Sequence, residues 1–327
     1  MHNFKMLRPK TLEQLASALQ AYPGKKLLYA GGTDVLDLLK EYIETPEYVI
    51  SLNSISELNG VKERKNTIEI GAATTLATLI TEPVVLQYFP GLIQAAKSVA
   101  TPQIRNIATV GGNLTQRPRC WYFRGKTYHC LKKGGGMCFA YVGLNKYHAI
   151  LGGGPCYIVH PSDLAPILIA LEARIRLRDP SGKSRELPLS QFFQLPSANL
   201  FQENILQEGE IITHVIIPVP DNVQKSYYLK FKERETADFA LVSVALMLQF
   251  SGKHVSNGRL VLGGVAPIPW EVTEANRLLK NTAITPEIVD KIAHVAVKGA
   301  QPLAQNRYKI LLTQNLIRKA FRSILQI

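Results

Sequence analysis

The chain has 327 residues, 46% of them hydrophobic and 19% charged, a balance that argues against intrinsic disorder and suggests two or three domains with buried cores. Its longest apolar run, Phe239 to Met247, is far shorter than the roughly 18–20 residues of a transmembrane helix, so no membrane span is expected. The net charge of +13 comes from Lys and Arg spread along the chain without a zinc-finger, RNP or basic-helix pattern; nucleic acid is therefore not the expected partner, and an acidic partner or an anionic cofactor suits the charge.

In chain order, the opening MHNFKMLRPK has no apolar block or small-residue cleavage site. It reads as cytoplasmic by its own sequence, and export to the periplasm beside a signal-bearing partner is left open. TLEQLASALQAY has helical spacing, KKLLYA is a short strand, VLDLLKEYI is helical and EYVISL is a strand. This βαβ alternation predicts parallel strands covered by helices, a first subdomain over residues 1–56. Residues 57–190 change texture, with NTIEIGAATTLATLI, the helix GLIQAAKSVA and the glycine-rich TVGGNL, and predict a second α+β subdomain with an insertion at about 117–157. HPSDLAPILIALEARIRLRDPSGKSREL predicts a helix meeting a hairpin that turns at DPSGK. The polar stretch 191–224 reads as a linker. Residues 225–327 carry long strands followed by helices, which predicts a separate α+β domain, with the run from Phe239 to Met247 a buried strand or short core helix.

Two glycine turns stand out. In LLYAGGTDVLDLL a strand runs through Gly31 and Gly32 into a helix opening near Thr33 or Asp34. Glycines let successive backbone N–H groups turn toward a diphosphate at the positive end of a helix; the same residues also suit a tight turn with a Thr33 or Asp34 cap. The third glycine of a G-x-G-x-x-G fingerprint is missing, which argues against a Rossmann site. The second turn, RNIATVGGNLTQ, offers Thr109, Gly111, Gly112 and Asn113 for hydrogen bonds to a ligand. Two such turns on adjoining subdomains make a cleft for a long nucleotide.

The segments AGGTDVLDLLK, TPQIRNIATVGGNL, HPSDLAPIL, EGEIITHVIIP and YYLKFKERETADFALVSVAL, in this order over nearly the whole chain, resemble the FAD-binding medium subunit of the molybdenum hydroxylases. This is the group of xanthine dehydrogenase, aldehyde oxidoreductase and carbon monoxide dehydrogenase. The resemblance implies a two-subdomain FAD-binding domain of the vanillyl-alcohol oxidase-like type followed by a CO dehydrogenase flavoprotein-type α+β domain. It implies that Leu28, Tyr29, Ala30, Gly31, Gly32, Thr33, Asp34 and Val35 wrap the FAD diphosphate, and that Thr109, Gly111, Gly112 and Asn113 hold the flavin side. It further implies that Asp163 bonds ribityl or ribose hydroxyls, and that Ile212 and Lys230 approach the isoalloxazine ring. On the residues alone, Asp163 is equally a helix cap and Lys230 a solvent-facing strand lysine. Where the family usually has a paired arginine before its D-x-A segment, this chain has Arg234 followed by Glu235.

All four cysteines, Cys120, Cys130, Cys138 and Cys156, fall in one region with the spacing C-x9-C-x7-C-x17-C. Disulfides, a zinc site, unrelated buried thiols and a 4Fe-4S cluster are the readings that compete. Zinc usually shows C-x2-C knuckles, absent here, whereas long glycine-rich spacers such as KKGGGMC and LGGGPC let a loop wrap a cubane. FAD subunits of periplasmic-type aldehyde oxidoreductases and of 4-hydroxybenzoyl-CoA reductase carry an extra cluster in the corresponding place. The resemblance, closest to the former, implies that these four cysteines ligate a 4Fe-4S cluster, with His129 and His148 as loop histidines. Arg119, Arg124, Lys126, Lys132 and Lys133 are expected to offset the cluster's negative charge, and Trp121, Tyr122 and Phe123 to shield it or simply pack.

The expected function is therefore electron transfer within a heteromeric enzyme. A large molybdenum-cofactor subunit would oxidise the substrate, a small 2Fe-2S subunit would relay electrons, and this chain's FAD would deliver them to an external acceptor. A hydroxyaryl-CoA reductase subunit running electrons the other way, and a zinc-stapled basic binding module, are the alternatives.

Overall fold

The computed structural model describes residues 1–325. The first unit is a three-stranded parallel sheet of β1 (Lys5–Leu7), β2 (Lys26–Tyr29) and β3 (Tyr48–Ser51) in the order β1-β3-β2, with helices Leu12–Ala21 and Val35–Lys40 in the connections. The first helix begins where the periodicity begins, because the Thr11 side chain caps it by accepting from the Gln14 N–H. Its inward face adds Leu15 to a small core with Ile50, Ile55, Leu58, Ala73 and Ile211.

The second unit is a five-stranded sheet of β4 (Val61–Glu63), β5 (Thr67–Gly71), β6 (Arg174–Arg178), β7 (Ser184–Pro188) and β8 (Ile211–Pro218), in the order β4-β5-β8-β6-β7. Every pairing in it is antiparallel. The stretch 191–224, expected as a linker, thus supplies the central strand of this sheet. The reason is burial: six of the eight residues in IITHVIIP are buried, and a strand covered this fully belongs inside a sheet rather than between domains. The segment GLIQAAKSVA lies in the helix Pro90–Ser98 and TVGGNL in the short helix Val110–Thr115, which Thr109 caps by accepting from the Gly112 N–H.

The third unit is an antiparallel sheet, β12 (Trp270–Glu271), β11 (His254–Gly263), β10 (Val242–Ser251) and β9 (Gln224–Phe231) in that order, followed by helices Thr273–Leu279, Pro286–Val295 and Tyr308–Leu325. The apolar run from Phe239 resolves as the strand β10, its first seven residues buried on both faces. One face packs against Tyr308–Leu325. The other meets helix Leu164–Ala170, which is apolar all round and buried at every position because it lies between β10 and β11 on one side and helix Pro90–Ser98 on another. A continuous core therefore runs from Ile68 and Ile70 of β5 to Ala245, Met247 and Val261 of the third unit, and the second and third units are welded together.

The cysteine-bearing insertion between Gln116 and Ile158 has little regular structure and its own small core of Leu38, Tyr122, Phe123, Cys130 and Ala140. Its far end is held by the C-terminal helix. Asn145 and Gln305 exchange hydrogen bonds of 3.1 and 2.8 Å, and the Asn306 amide donates to the carbonyls of His148 and Ala149. Fully buried Lys309 donates to the carbonyls of Tyr147 (2.9 Å), His148 (3.1 Å) and Gly264 (2.7 Å). Among the described residues no helix is long and apolar enough to cross a membrane.

Lys309→Met keeps the stem of this side chain and removes the three donors. Leaving buried carbonyls unpartnered costs about 1–3 kcal/mol, so the variant is expected to unfold at lower denaturant than the parent, with insertion amides 145–149 exchanging hydrogen first. Unchanged denaturation and exchange would contradict this stitching role.

Candidate functional site

A cleft of about 880 Å³ opens where the three units meet, a volume suited to a large organic ligand. Of the residues expected to hold a cofactor, Leu28, Ala30, Gly31, Gly32, Thr33, Asp34, Val35, Thr109, Gly111, Gly112, Asn113, Asp163, Ile212 and Lys230 all line it. Tyr29 does not. Its ring lies instead against Gly32, where a Cβ would meet the Tyr29 Cε2 at 2.5 Å. Gly32 itself has φ +72°, the left-handed region that favours glycine. Gly31 is fixed by a close approach: a Cβ there would lie 2.2 Å from the carbonyl oxygen of Ile107, in the segment leading into the second turn. The two glycine turns thus touch, backbone to backbone, and form one floor of the cleft.

The polar groups in the cleft are largely engaged with one another. Asn113 Oδ1 accepts from the Ser162 hydroxyl at 2.6 Å, and Thr109 Oγ1 accepts from the Gly112 N–H at 3.1 Å. Asp163 is not a side-chain helix cap; its carboxylate accepts from the Tyr228 hydroxyl at 2.6 Å and from Lys230 Nζ at 2.7 Å. Both partners of that ion pair are buried, and Lys230 also donates to the Ser98 carbonyl. Lys230 is therefore no solvent-facing strand lysine. Burial pushes the Asp163 carboxyl up from its ordinary range against the opposing pull of Lys230, and pushes the Tyr228 phenol well above its own.

Asp34 lines the cleft, and its carboxylate is already engaged by the protein. Its carboxylate is gripped by three donors from the insertion: Arg124 Nη2 at 2.6 Å, Arg119 Nη1 at 2.9 Å and the Arg117 backbone N–H at 2.7 Å. It makes no cap bond to its own helix. Around this node Arg117 pairs with Glu44 and Glu203, and buried Lys132 pairs with Glu203 and donates to the Leu200 carbonyl. Arg119, Arg124 and Lys132, expected to face an anionic cluster, are thus neutralised by carboxylates; Lys133 donates to the Gly125 carbonyl and Lys126 is exposed. The Arg119 guanidinium also lies over the Phe239 ring, 4.9 Å from its centroid, at the edge of the cleft. Sequence reasoning did not assign Arg117, Arg119, Ala237, Asp238 or Phe239 to the cofactor cleft they line; the adjacency of Arg119 to Cys120 was the one local signal.

Beyond this node, Cys120, Cys130 and Cys138 pack into the insertion's small core, and Cys156 lies against Cys138. All four thiols are free, with Cys130 and Cys156 buried and Cys120 and Cys138 half-buried. Cys138 interacts directly with Cys156, and that thiol's hydrogen bond pulls Cys138 down to about 6 while pushing Cys156 up. Burial pushes Cys120 up to about 11, with Cys138 and Cys130 near enough to add to the effect. His148 Nε2 lies 3.2 Å from Cys120 Sγ, and burial together with Lys309 pulls this imidazole down to about 4. Among the described residues no three His, Cys, Asp or Glu side chains converge as a site for a metal ion. A cubane makes a different demand, since its thiolates stand at the corners of a body larger than one ion. The surroundings fit such an anionic body: the Trp121 indole N–H is buried with no partner, while Tyr122, Phe139 and Tyr128 pack ring on ring beside it.

Comparison with known proteins places this arrangement. Residues 2–220 match the FAD binding domain in molybdopterin dehydrogenase, and residues 226–324 the CO dehydrogenase flavoprotein C-terminal domain. The chain belongs to the FAD-binding subunits of the molybdenum hydroxylase family. It is 34% identical to the aldehyde oxidoreductase FAD-binding subunit PaoB of Escherichia coli K12 over 97% of its own length and 96% of that protein's. It is 28% identical to the carbon monoxide dehydrogenase medium chain of Hydrogenophaga pseudoflava, over 98% and 96% of the two chains. A solved structure of carbon monoxide dehydrogenase from that organism superposes with a TM-score of 0.79 at 26% identity, covering 99% of this chain and 98% of the other. Both glycine turns of the cleft fall within the stretch that matches the FAD binding domain.

Gly31→Ala must separate the first turn from Ile107. The expected result is a folded protein isolated with at most a tenth of the parent's flavin, read from its visible absorbance, whereas Gly136→Ala, where a Cβ meets open space and φ is not positive, retains FAD. Parent-level flavin in Gly31→Ala would contradict the turn-to-turn contact.

Proposed function

We propose that this chain is the electron-transfer subunit of a heteromeric molybdenum-containing aldehyde oxidoreductase. In this reading it holds one FAD in the cleft and one 4Fe-4S cluster on Cys120, Cys130, Cys138 and Cys156, and works beside a large molybdenum-cofactor subunit and a small 2Fe-2S subunit. The observation that carries the reading is the gathering of all four thiols in one module that Asp34 ties to the first glycine turn of the flavin cleft. The identity and full-length match to the E. coli aldehyde oxidoreductase subunit support the substrate class.

When bound, FAD accepts electrons singly or in pairs and the cluster passes them one at a time. The chain's own residues place, shield and neutralise. The glycine turns bring backbone N–H groups to the diphosphate end, and Asp163, held by Tyr228 and Lys230, fixes the wall near the ring end without adding net charge. Arg119 joins the two sites, since it lines the cleft and immediately precedes Cys120. Tyr122, Phe123 and Phe139 keep water from the thiols.

The chain isolated under anaerobic conditions is expected to carry flavin and about four irons, the composition of one cubane, and to show a low-temperature magnetic resonance signal on reduction. Serine at each cysteine in turn should lower the iron or alter that signal while flavin is retained. Zinc without iron in the parent, or an unchanged signal in all four variants, would sink the cluster assignment. Asp34→Asn weakens the grip on Arg119 and Arg124, and is expected to lower iron and flavin together, read as a joint fall in both per chain; loss of neither would refute the coupling.

A further inference from the structure

We propose that His148 donates a hydrogen bond from Nε2 to the Cys120 sulfur and thereby raises the reduction potential of the iron-sulfur centre, a positioning role that rests on the cluster assignment above. The contact is 3.2 Å, between a fully interior ring and a half-buried sulfur. The ring has little freedom to leave it. Trp121 stands edge-on to it at 5.6 Å and Tyr122 lies at 6.2 Å. Its backbone is fixed at both ends: the His148 N–H donates to the Asn145 carbonyl, and the His148 carbonyl accepts from Asn306 and Lys309. The C-terminal helix, outside the insertion, therefore sets where this imidazole sits.

The chemistry assigns the tautomer. A sulfur bonded to iron carries no proton, so a ring nitrogen at hydrogen-bond distance from it is attracted only if that nitrogen bears the hydrogen. The other nitrogen, Nδ1, is buried without a partner, so a single ring proton finds an acceptor only on Nε2. A donor aimed at a ligand sulfur stabilises the added negative charge of the reduced cluster more than it stabilises the oxidised form. The part of that hydrogen bond's strength that differs between the two redox states moves the potential. His129, the other histidine of the insertion, is exposed and lacks such a contact among the described hydrogen bonds.

The test is a redox titration of the full chain, isolated with its bound cofactors, followed by low-temperature magnetic resonance of the reduced cluster. His148→Phe removes the donor and keeps a ring against Trp121. At the parent's midpoint, its ratio of oxidised to reduced cluster is expected to rise about tenfold, about 59 mV for a one-electron couple, with iron content unchanged. His148→Gln, whose amide N–H reaches a similar point, is expected to recover at least half of that shift. A full iron complement with an unmoved midpoint in His148→Phe overturns the inference and leaves the cluster assignment standing. An iron-free parent overturns both. Should the variants not fold, the parent labelled with 15N-histidine decides the matter: a weak nitrogen coupling in the reduced cluster supports a hydrogen bond. No coupling, or one as strong as a nitrogen bonded to iron, overturns it.

Discussion

A single carboxylate, Asp34, organises the functional half of this protein. It stands one residue past the Gly-Gly-Thr turn of the flavin cleft, yet its two oxygens face away from that turn toward three donors in the insertion, including the guanidinium groups of Arg119 and Arg124. Half-buried guanidinium–carboxylate bonds of this length are strong when every partner is present and costly when one is lost, because the remaining charge stays desolvated. Glu44 and Glu203 complete the neutralisation of Arg117 and Lys132 around the node. The insertion is thus bound to the first unit by matched charge as well as by the packing of Leu38 and Ile43 into its apolar core.

The opposite end of the insertion is bound by neutral hydrogen bonds and one buried ammonium. Asn145, Gln305, Asn306 and Lys309 tie the loop that bears His148 to the start of the C-terminal helix. Between these two anchors the chain turns on glycines: Gly134, Gly152 and Gly154 all have positive φ, and a Cβ on Gly135 would fall within 1.8 Å of the His129 carbonyl oxygen. Anchors on two different units and permissive turns between them allow four thiols, spread over 37 residues from Cys120 to Cys156, to gather in a segment with almost no helix or strand. The arrangement makes the thiol module depend on the whole molecule, since neither unit alone supplies both anchors.

The cleft was legible in the chain because its walls are made of local signals. A glycine pair after a strand, a glycine-rich turn and the apolar helix that follows HPSD are patterns of neighbouring residues, and the fold brings both turns and the Asp163 end of that helix to the cleft wall. The failures share a different cause. Tyr29 was grouped with the turn, but its ring packs against Gly32 and does not line the cleft. The stretch 191–224 was read as a linker from its polar first half, although IITHVIIP at its end is buried enough to be a central strand. The basic residues beside the cysteines were read as charge compensation for a cluster because their carboxylate partners lie far away in sequence.

The sequence by itself determined the family, the two glycine turns, the four clustered thiols and most of the succession of strands and helices, since each rests on residue type and short-range spacing. Only the tertiary structure decided which charge meets which. Asp34 finds Arg124 across 90 residues, Lys230 finds Asp163 across 67, and Lys309 finds the Tyr147 carbonyl across 162. A buried charge must be paired wherever the fold leaves a partner, and no periodicity in the chain records where that will be.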